Sequence, residues 1–332
     1  MKIVGYLHSC PPMRTVGGEM MTLRLLNHSA EQGHDVVIIV RELENDRMYG
    51  KVQLLAGHPA SHQPILRALN NADVIVTHPE IADGPFRYTT RIMHTPLVGI
   101  VHNLRKRTMH GLRTRPAMHV VANSYYTAEL LYETEDLGDR DPTIIHPPTR
   151  PPSPPVDGLP RAFCTVVNLS AAKGSAMLRK LVRELPEVQF LAVLGGHGDQ
   201  EVPKNDNNNV TLYGHFAGLG LPFGLTRVLI APSLDETYGM TVAEATALGI
   251  PVVASDIPAH REALGPSATY VDPRDTEGWI DAVRPLMTDD DAWQVAHERA
   301  LAYGDELAAR EVQTFAEWDA LLDRLSTDAN DQ

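Results

Sequence analysis

The feature that most constrains the fold is a proline-rich stretch near the middle of the chain, HPPTRPPSPPVDGLP, with seven prolines in the fifteen residues 146–160. Proline fixes the backbone angle φ and lacks an amide hydrogen, so this stretch cannot continue a helix or a central strand. It is typical of an extended connector. At 332 residues the chain is long enough for two domains with their own cores. We therefore predict a domain over 1–147, a linker over 148–160, a domain over 161–310, and a C-terminal helix and tail over 311–332.

Both halves show the same alternation of short apolar runs and helical patterns. The runs before the linker are KIVGYL, HDVVIIV, ADVIVTH, TPLVGIVHN and AMHVVANS, and those after it are AFCTVVNLS, QFLAVLGG, NVTLYG, RVLIAPS, IPVVAS and ATYVD. Apolar β-rich runs separated by helical segments indicate parallel sheets covered by helices on both faces. The sequence therefore predicts an α/β fold with two doubly wound domains and a cleft. Residues 41–70 show no clear pattern.

Composition restricts the location and the partners. No apolar run approaches the roughly 20 residues that span a bilayer, and MKIVGYLHSCPP does not read as a secretory signal. Cys10 and Cys164 match no zinc or disulfide spacing. These features predict a cytoplasmic protein, at most peripheral to a membrane. The formal net charge of −13 repels phosphate backbones and anionic lipid wherever no basic patch overrides it.

Four loops occupy the place where open α/β sheets bind ligands, which is the carboxyl end of a strand before a helix. They are TVGGEMM with Gly17 and Gly18, NLSAAKG with Asn168 and Lys173, LGGHGD with Gly196, and LDETYGMTVAEA with Glu236 and Glu244. Glycines allow close backbone approach, and free amides at a helix start bind anions. Taken singly, a glycine pair also fits an ordinary turn, and a loop lysine also fits a solvated surface.

The last loop carries two acids eight positions apart. A helix start near Tyr238–Thr241 would offer amides to a phosphate or to sugar hydroxyls. Glu244 would face the same cleft as Glu236, roughly 10 Å away, and carboxylates accept hydrogen bonds from vicinal hydroxyls. The alternative is that both acids are only helix-start charges favoured by the helix dipole.

These residues carry a resemblance. The block PSLDETYGMTVAEATALGIPVVASD resembles the E-x7-E region of glycosyltransferase family four, whose members are retaining enzymes of GT-B fold, with two Rossmann-like domains facing a central cleft. NLSAAKG is similar to the pyrophosphate loop of that family, TVGGEMM to its N-terminal glycine loop, and GHDVVIIV to its second strand. HREALGPSATYVDPRDTEGWIDAV resembles the stretch after the second acid. The matches follow one another in order over nearly the whole chain.

The resemblance implies roles for individual residues. Glu244 would bind the ribose hydroxyls of a nucleotide-sugar donor, Glu236 would hold the donor sugar, and Lys173 would bind the diphosphate. Gly18 would let the N-terminal domain close on the phosphates. His102 would lie near the reacting carbon, although a solvated histidine also fits it. The other donor contacts would come from Gly17, Asn168, Gly196, the amides of Tyr238, Gly239, Met240 and Thr241, and residues 212–216.

The resemblance also implies the chemistry. Retention would need no enzymic nucleophile, because the departing phosphate takes the proton of the acceptor on the same face of the sugar. No metal and no cofactor are expected beyond the nucleotide-diphosphate sugar as co-substrate. The sequence departs from the family at Asn168, where an arginine is usual, and Arg14 and Arg227 are the candidates for the missing charge. We interpret the Asp-x-Asp of TDDDAW as a helix N-cap and not as a metal site.

A basic segment points to the acceptor. RKRTMHGLRTR contains Arg105, Lys106, Arg107, Arg113 and Arg115 and no acid. It reads either as a solvated loop or as the contact surface for an anionic acceptor: a lipid-linked acceptor, a polysaccharide or a modified nucleic acid. Arg105, Lys106 and Arg107 are the predicted acceptor-side residues. Two other functions fit the same residues, a sugar-nucleotide epimerase of GT-B fold and a non-catalytic sugar-nucleotide-binding protein.

Overall fold

The computed structural model describes residues 1–11, 17–57, 62–89, 91–150, 156, 158–195, 198–204, 207–214 and 219–330. The chain divides into two units. One contains Met1–Pro148 together with Glu311–Gln332, and the other contains Thr149–Arg310. We call them the N-terminal unit and the C-terminal unit.

The N-terminal unit is built on one sheet. Its strands are β1 (Lys2–Leu7), β2 (Asp35–Val40), β3 (Arg47–Tyr49), β4 (Val52–Ala56), β5 (Val74–Thr77), β6 (Leu97–Val101), β7 (His119–Ala122) and β8 (Thr143–Ile144). Its helices are α1 (Gly17–Glu31), α2 (His62–Asn70), α3 (Lys106–Thr114) and α4 (Tyr125–Tyr132). Within the described residues the strand order is β3-β4-β2-β1-β5-β6-β7-β8, and every pair is parallel except β3 with β4.

The five strands predicted in this half are present as β1, β2, β5, β6 and β7. They are almost wholly buried, which explains why each appears as a continuous apolar run. The region without a clear pattern holds the antiparallel pair β3–β4 and the helix α2. Strand β3 is only three residues long and partly exposed at the edge of the sheet, so it lacks the apolar run that identifies a buried strand.

The C-terminal unit has a parallel sheet. Its strands are β9 (Phe163–Val167), β10 (Phe190–Val193), β11 (Val210–Tyr213), β12 (Thr226–Ala231), β13 (Val252–Ser255) and β14 (Thr269–Val271). Its helices are α5 (Ser175–Glu184), α6 (Gly220–Leu225), α7 (Met240–Ala247), α8 (Pro258–Leu264), α9 (Thr276–Thr288) and the first part of α10 (Asp290–Asn330). All six predicted strands are present.

The strand order is β11-β10-β9-β12-β13-β14. Strands β10 and β11 are added on one side of β9, and from β12 onward the strands are added on its other side, so the order of addition reverses between β9 and β12. The same reversal occurs between β1 and β5 in the N-terminal unit. In doubly wound sheets, ligands bind at the carboxyl ends of the two strands that flank such a switch point. The predicted fold class, two doubly wound α/β domains, is therefore confirmed, and each unit has one defined place for a ligand.

Separate cores stabilise the two units. In the C-terminal unit, apolar side chains of the sheet pack against α5 and α9, with Phe190 and Trp279 fully buried among them. In the N-terminal unit, the α10 residue Trp318 is fully buried and its Nε1 donates a hydrogen bond to Ser29 Oγ on α1 at 2.8 Å. Helix α10 belongs to the C-terminal unit up to Arg310 and to the N-terminal unit from Glu311. None of the described helices combines the length and apolarity that a membrane span requires.

Candidate active site

The loops after β9 and β12 meet at the switch point of the C-terminal sheet. Gly174 follows Lys173 in the left-handed conformation (φ 82°), and a Cβ atom there would collide with the carbonyl oxygen of Pro232 in the other loop. The amide of Leu234 donates a hydrogen bond to the carbonyl of Ala172 at 2.8 Å. Glycine at 174 therefore allows the two loops to pack directly on each other.

This packing brings together two predicted site residues. The Nζ atom of Lys173 lies 2.5 Å from Oε1 of Glu236. The two side chains are 29% and 17% exposed, so their charges are only partly screened by water. Glu236 Oε1 also accepts a hydrogen bond from Ser233 Oγ at 3.1 Å. An ammonium group and a carboxylate at the switch point can bind a phosphate and a hydroxyl group respectively.

The second acid of the motif lies in the first turn and a half of α7. The helix begins at Met240, as predicted, and Gly239 is its N-cap residue in the left-handed conformation (φ 99°). Glu244 is buried, with 5% of its surface exposed. Burial of a carboxylate is costly unless the group is partnered. Glu244 is therefore not a helix-start charge at the surface, which was the alternative interpretation of this acid. Tyr238, by contrast, is a core residue: its hydroxyl contacts Arg310 at 3.4 Å, and burial raises its pKa to about 12.

Asn168 occupies a backbone position that favours asparagine. Its φ is 69°, in the left-handed region that asparagine adopts more easily than most residues. Its Oδ1 accepts hydrogen bonds from the amide of Ser170 and from Nε2 of Gln200, both at 3.1 Å. Gln200 Oε1 in turn accepts from the amides of Leu169 and Gly195, both at 2.8 Å. Asn168 and Gln200 therefore hold the shape of the loop and add no positive charge; no sequence motif pointed to Gln200.

The structure corrects one proposed source of the missing charge. Arg227 is the second residue of β12, so it lies at the amino end of the strand, opposite the candidate site. Its guanidinium contacts Asp290 Oδ1 at 2.6 Å and the carbonyl of Leu286 at 2.9 Å, and it stacks on Trp293. Arg227 is thereby bound to the start of α10 and does not replace the absent arginine. Arg14, Gly196 and residues 215–216 lie outside the described residues.

His260 is a residue at this site that the sequence did not indicate. It is fully buried on α8, and its Nδ1 lies 3.0 Å from the carbonyl oxygen of Ser255. A Cβ atom on Gly239 would come within 3.1 Å of its ring, so the imidazole lies directly beneath the N-cap of α7. Desolvation lowers the pKa of His260, and the nearby Glu236 carboxylate opposes that shift. The ring is therefore neutral at neutral pH, and its Nε2 has no hydrogen-bond partner among the described residues.

In the N-terminal unit, the glycine loop packs against His102. This histidine follows β6 directly, and a Cβ atom on Gly18 would lie 2.5 Å from its ring. We predicted that Gly18 allows the backbone to approach a ligand closely. Within the N-terminal unit, the group that it approaches closely is the ring of His102. Gly17, the first residue of α1, is exposed.

Two further titratable residues surround His102, neither of them predicted. The ring of His78 is centred 4.3 Å from that of His102, and Glu19 is buried in the first turn of α1. Desolvation raises the pKa of Glu19, and the nearby His102 opposes that shift. Desolvation holds the pKa of the fully buried His78 well below its usual range. One ligand atom from each of Glu19, His78 and His102 lies within 4.8 Å of the others. The polar residue directly after the apolar run of β5 is the signal that could have identified His78.

The structure divides the basic segment. Arg115 forms a two-point ion pair with Asp83 Oδ1 (3.0 and 2.7 Å) and stacks on Phe86, and Arg113 pairs with Asp136 at 3.0 Å. These two cations are therefore neutralised, contrary to the interpretation of all five as one patch. Arg105, Lys106 and Arg107 are exposed around the start of α3, and they form no ion pair with the described residues. We call these three residues the α3 patch.

The sequence of this chain is similar to those of known proteins. Residues 161–289 match the family model described as Glycosyl transferases group 1. The phosphatidyl-myo-inositol mannosyltransferase of Mycolicibacterium smegmatis is 27% identical over 272 residues, which cover 73% of this chain and 69% of that protein. The chain is a glycosyltransferase that resembles the members of family four. The corresponding mannosyltransferase of Mycobacterium leprae is 27% identical over 290 residues, 79% of this glycosyltransferase and 76% of the relative.

Solved structures share the fold of this glycosyltransferase. Sucrose-phosphate synthase from Thermosynechococcus elongatus superposes with a TM-score of 0.74 at 14% identity, covering 98% of this chain and 100% of that one. HepE from Anabaena, in complex with UDP and glucose, gives a TM-score of 0.74 at 16% identity, covering 97% and 99%. At these identities the likeness establishes the fold, which is GT-B.

Proposed function

We propose that this glycosyltransferase moves a sugar from a nucleotide-diphosphate sugar to an acceptor hydroxyl with retention of configuration. The observation that carries the proposal is the Lys173–Glu236 pair, 2.5 Å apart at the switch point of the C-terminal sheet. In this proposal Lys173 stabilises charge that develops on a leaving diphosphate, which is a role that a pure binding protein does not require. The mannosyltransferases among its relatives support a mannosyl nucleotide as the first donor to test.

Each acid and the lysine receive one role in this proposal. Lys173 binds the diphosphate and stabilises the negative charge that develops as the bond between sugar and phosphate breaks. Glu236, which already accepts a hydroxyl hydrogen bond from Ser233, accepts one from a sugar hydroxyl. The buried Glu244 accepts hydrogen bonds from the ribose hydroxyls. Free amides at the start of α7, after Gly239, add donors for the phosphate oxygens.

The chemical step follows from this positioning. The acceptor oxygen forms a bond to the anomeric carbon on the face from which the phosphate oxygen departs, and that phosphate oxygen takes the acceptor proton. The protein aligns the two reactants and stabilises the leaving group, which are the contributions available without an enzymic nucleophile. His102 belongs beside the reacting carbon in this scheme. Lys173 supplies the positive charge, so the transfer itself uses no metal ion.

The α3 patch supports an anionic acceptor. Three exposed cations on one helix start attract phosphate, and the absence of ion pairs with the described residues leaves their charge uncompensated. The named lipid of the mycobacterial relatives, a phosphatidyl-myo-inositol, has this chemistry. We therefore propose a lipid-linked anionic acceptor and a cytoplasmic enzyme that works peripherally at a membrane surface.

The experiment that tests the function measures nucleotide release and the product together. The protein is incubated with mannosyl and glucosyl nucleotides, with and without vesicles containing phosphatidylinositol, and in the presence or absence of EDTA. We expect nucleoside diphosphate release that depends on the vesicles, a product with the anomeric configuration of the donor by NMR, and no loss of rate with EDTA. A modified sugar released without vesicles would establish the epimerase instead, and donor binding without turnover would establish the non-catalytic protein. An inverted product would overturn the mechanism.

A further inference from the structure

We propose that Glu19, His78 and His102 bind one transition-metal ion of the Zn²⁺ class, in a site distinct from the donor-binding residues of the C-terminal unit. The sheet topology brings the three residues together. Glu19 is in the helix after β1, His78 follows β5, and His102 follows β6. Strands β1, β5 and β6 are neighbours in the parallel sheet, so their carboxyl ends lie side by side at the switch point of the N-terminal unit.

The surroundings of His78 suit a metal ligand. Thr22 Oγ1 lies 3.1 Å from the carbonyl oxygen of Gly18 and 2.9 Å from Nε2 of His78, so it can donate its hydrogen to the carbonyl and accept one from the ring. In that arrangement the hydrogen of the neutral ring is on Nε2, and the lone pair on Nδ1 is available to a metal. A hydrogen bond on one ring nitrogen is the usual arrangement when the other nitrogen is a metal ligand.

His102 has a corresponding support. Its Nε2 lies 3.4 Å from Oε1 of Glu80. A carboxylate on the far nitrogen of a metal-binding imidazole fixes the ring orientation and increases the basicity of the ligand. Asn103 Nδ2 donates to the same carboxylate at 3.4 Å, and Asn103 Oδ1 accepts from Thr108 Oγ1 at 2.6 Å, so Glu80 is part of a small polar network.

The carboxylate of Glu19 supplies the negative charge of the site. Its Oε2 is buried and has no hydrogen-bond partner among the described residues, and the whole residue is 5% exposed. A buried polar atom without a partner is costly and needs an explanation. The two neighbouring imidazoles are neutral when they act as ligands, so they do not compensate the charge of Glu19. A divalent cation on that oxygen would compensate the charge and offset the cost of burial.

The donor set selects the metal. Two imidazole nitrogens and one carboxylate suit Zn²⁺ and Co²⁺, whereas Mg²⁺ and Ca²⁺ prefer oxygen ligands alone. Ligand atoms around a tetrahedral Zn²⁺ are about 3.4 Å apart, so atoms that lie within 4.8 Å of one another need small side-chain rotations to close on an ion. His102 is 16% exposed, which leaves an entry path and a position for water as the fourth ligand.

The site also has a consequence for catalysis, which rests on the proposed function. A metal ion bound to His102 would withdraw that ring from the reacting sugar. We therefore expect Zn²⁺ to inhibit transfer in parallel with its occupancy of the site. Metal binding itself is measured without donor or acceptor, so its failure is separate from any failure of the proposed function.

The experiment titrates the tag-free, metal-free protein with Co²⁺ and records the visible d–d absorption. We expect one equivalent to give bands of a nitrogen- and oxygen-ligated ion, and one equivalent of Zn²⁺ to remove them. E19Q and H78N should each abolish the bands, and E80Q should lower the affinity about 10- to 100-fold. H110N is the matched control, since His110 is an exposed histidine of α3 outside the site, and it should bind as the parent does.

Thermal unfolding shows whether the variants are folded. E19Q removes a buried carboxylate, so we expect it to melt no lower than the parent without metal, while Zn²⁺ raises the melting temperature of the parent only. Absence of a one-equivalent Co²⁺ spectrum in the parent, or its persistence in both E19Q and H78N, would overturn the site. Co²⁺ binding at this site without parallel inhibition of transfer would overturn the inhibitory role.

Discussion

Lys173 and Glu236 form an ion pair, with Nζ of one 2.5 Å from Oε1 of the other. The proposed donor places a diphosphate beside Lys173 and a sugar hydroxyl beside Glu236. The diphosphate carries more negative charge than the carboxylate and competes with it for the lysine. On the proposed function, part of the donor-binding free energy would therefore be used to break this pair, and the released carboxylate would accept a hydrogen bond from the sugar hydroxyl.

The first prediction concerns this pair. Lys173→Ala and Glu236→Ala should each lower kcat/KM by about 100-fold or more, since removal of one group that stabilises a developing charge typically costs that much. Lys180→Ala removes an exposed lysine of α5 and serves as the control. Steady-state kinetics with circular dichroism as the folding check measure the effect. A variant of either site residue that keeps the parental rate would remove that residue from the mechanism.

Glu244 should act on binding. Glu244→Ala should weaken donor affinity by about 1–3 kcal/mol, the usual effect of removing a charged hydrogen-bond partner. Isothermal calorimetry with the nucleotide sugar and with the bare nucleoside diphosphate should show the same loss, because the ribose is common to both ligands. Glu277→Ala, at an exposed position in the first turn of α9, should leave both affinities unchanged. A loss confined to the nucleotide sugar would assign Glu244 to the sugar and not to the ribose.

The α3 patch should govern the acceptor. The triple variant Arg105→Ser, Lys106→Ser, Arg107→Ser should raise KM for anionic vesicles, leave donor affinity unchanged and weaken the dependence of the rate on salt, since fewer counterions are exchanged. A control triple at the exposed positions Lys51, Arg183 and Arg274 removes the same charge elsewhere. Equal effects of both triples would show that net charge, and not this patch, attracts the acceptor.

His260 should make the C-terminal unit sensitive to acid. Its pKa in the folded state is below the ordinary value of 6.5. The unfolded chain therefore takes up the proton first, so this contribution to stability is complete above pH 6.5 and is lost as the pH falls toward the folded-state pKa. The slope is at most about 1.4 kcal/mol per pH unit. Urea unfolding between about pH 7.5 and 5.5 should give a shallower slope for His260→Asn than for the parent or for the exposed control His110→Asn, and equal slopes would contradict the assignment.

Two tryptophans should report on the two units separately. Trp318→Ala should destabilise the N-terminal unit by about 3–5 kcal/mol, the usual cost of truncating a buried tryptophan. Hydrogen exchange should then lose protection in α1, where Ser29 is the partner of the indole, while β9 and β12 stay protected. Trp279→Ala, in the core of the C-terminal unit, should give the reverse pattern. Loss of protection in both units from either variant would mean that they unfold together.

The sequence identified most of the strands, because most of them are buried on both faces and burial makes the apolar runs continuous. Strand β11 was identified although it is partly exposed at the edge of its sheet. The sequence did not identify β3, whose three residues are partly exposed at the sheet edge, the two-residue β8, or β4. The pairing of Lys173 with Glu236 was within reach because both follow strands that neighbour the switch point. Arg227 was misassigned because it lies at the amino end of its strand, whereas the candidate site lies at the carboxyl end.

Other site features had no local signal. His260 and Gln200 belong to no motif; their positions depend on packing between elements that are distant in sequence. The neutralisation of Arg113 and Arg115 depends on Asp136 and Asp83, which lie outside the basic segment. A charge run read from sequence gives the number of cations, whereas the fold determines how many remain available to a ligand.

Helix α10 affects the order in which the protein can be made. The N-terminal unit requires residues from Glu311 onward, and the hydrogen bond between Trp318 and Ser29 joins positions 289 residues apart. On the ribosome, the first unit to be synthesised is therefore the last that can complete its core. Until α10 emerges, the surface of α1 that receives Trp318 stays uncovered.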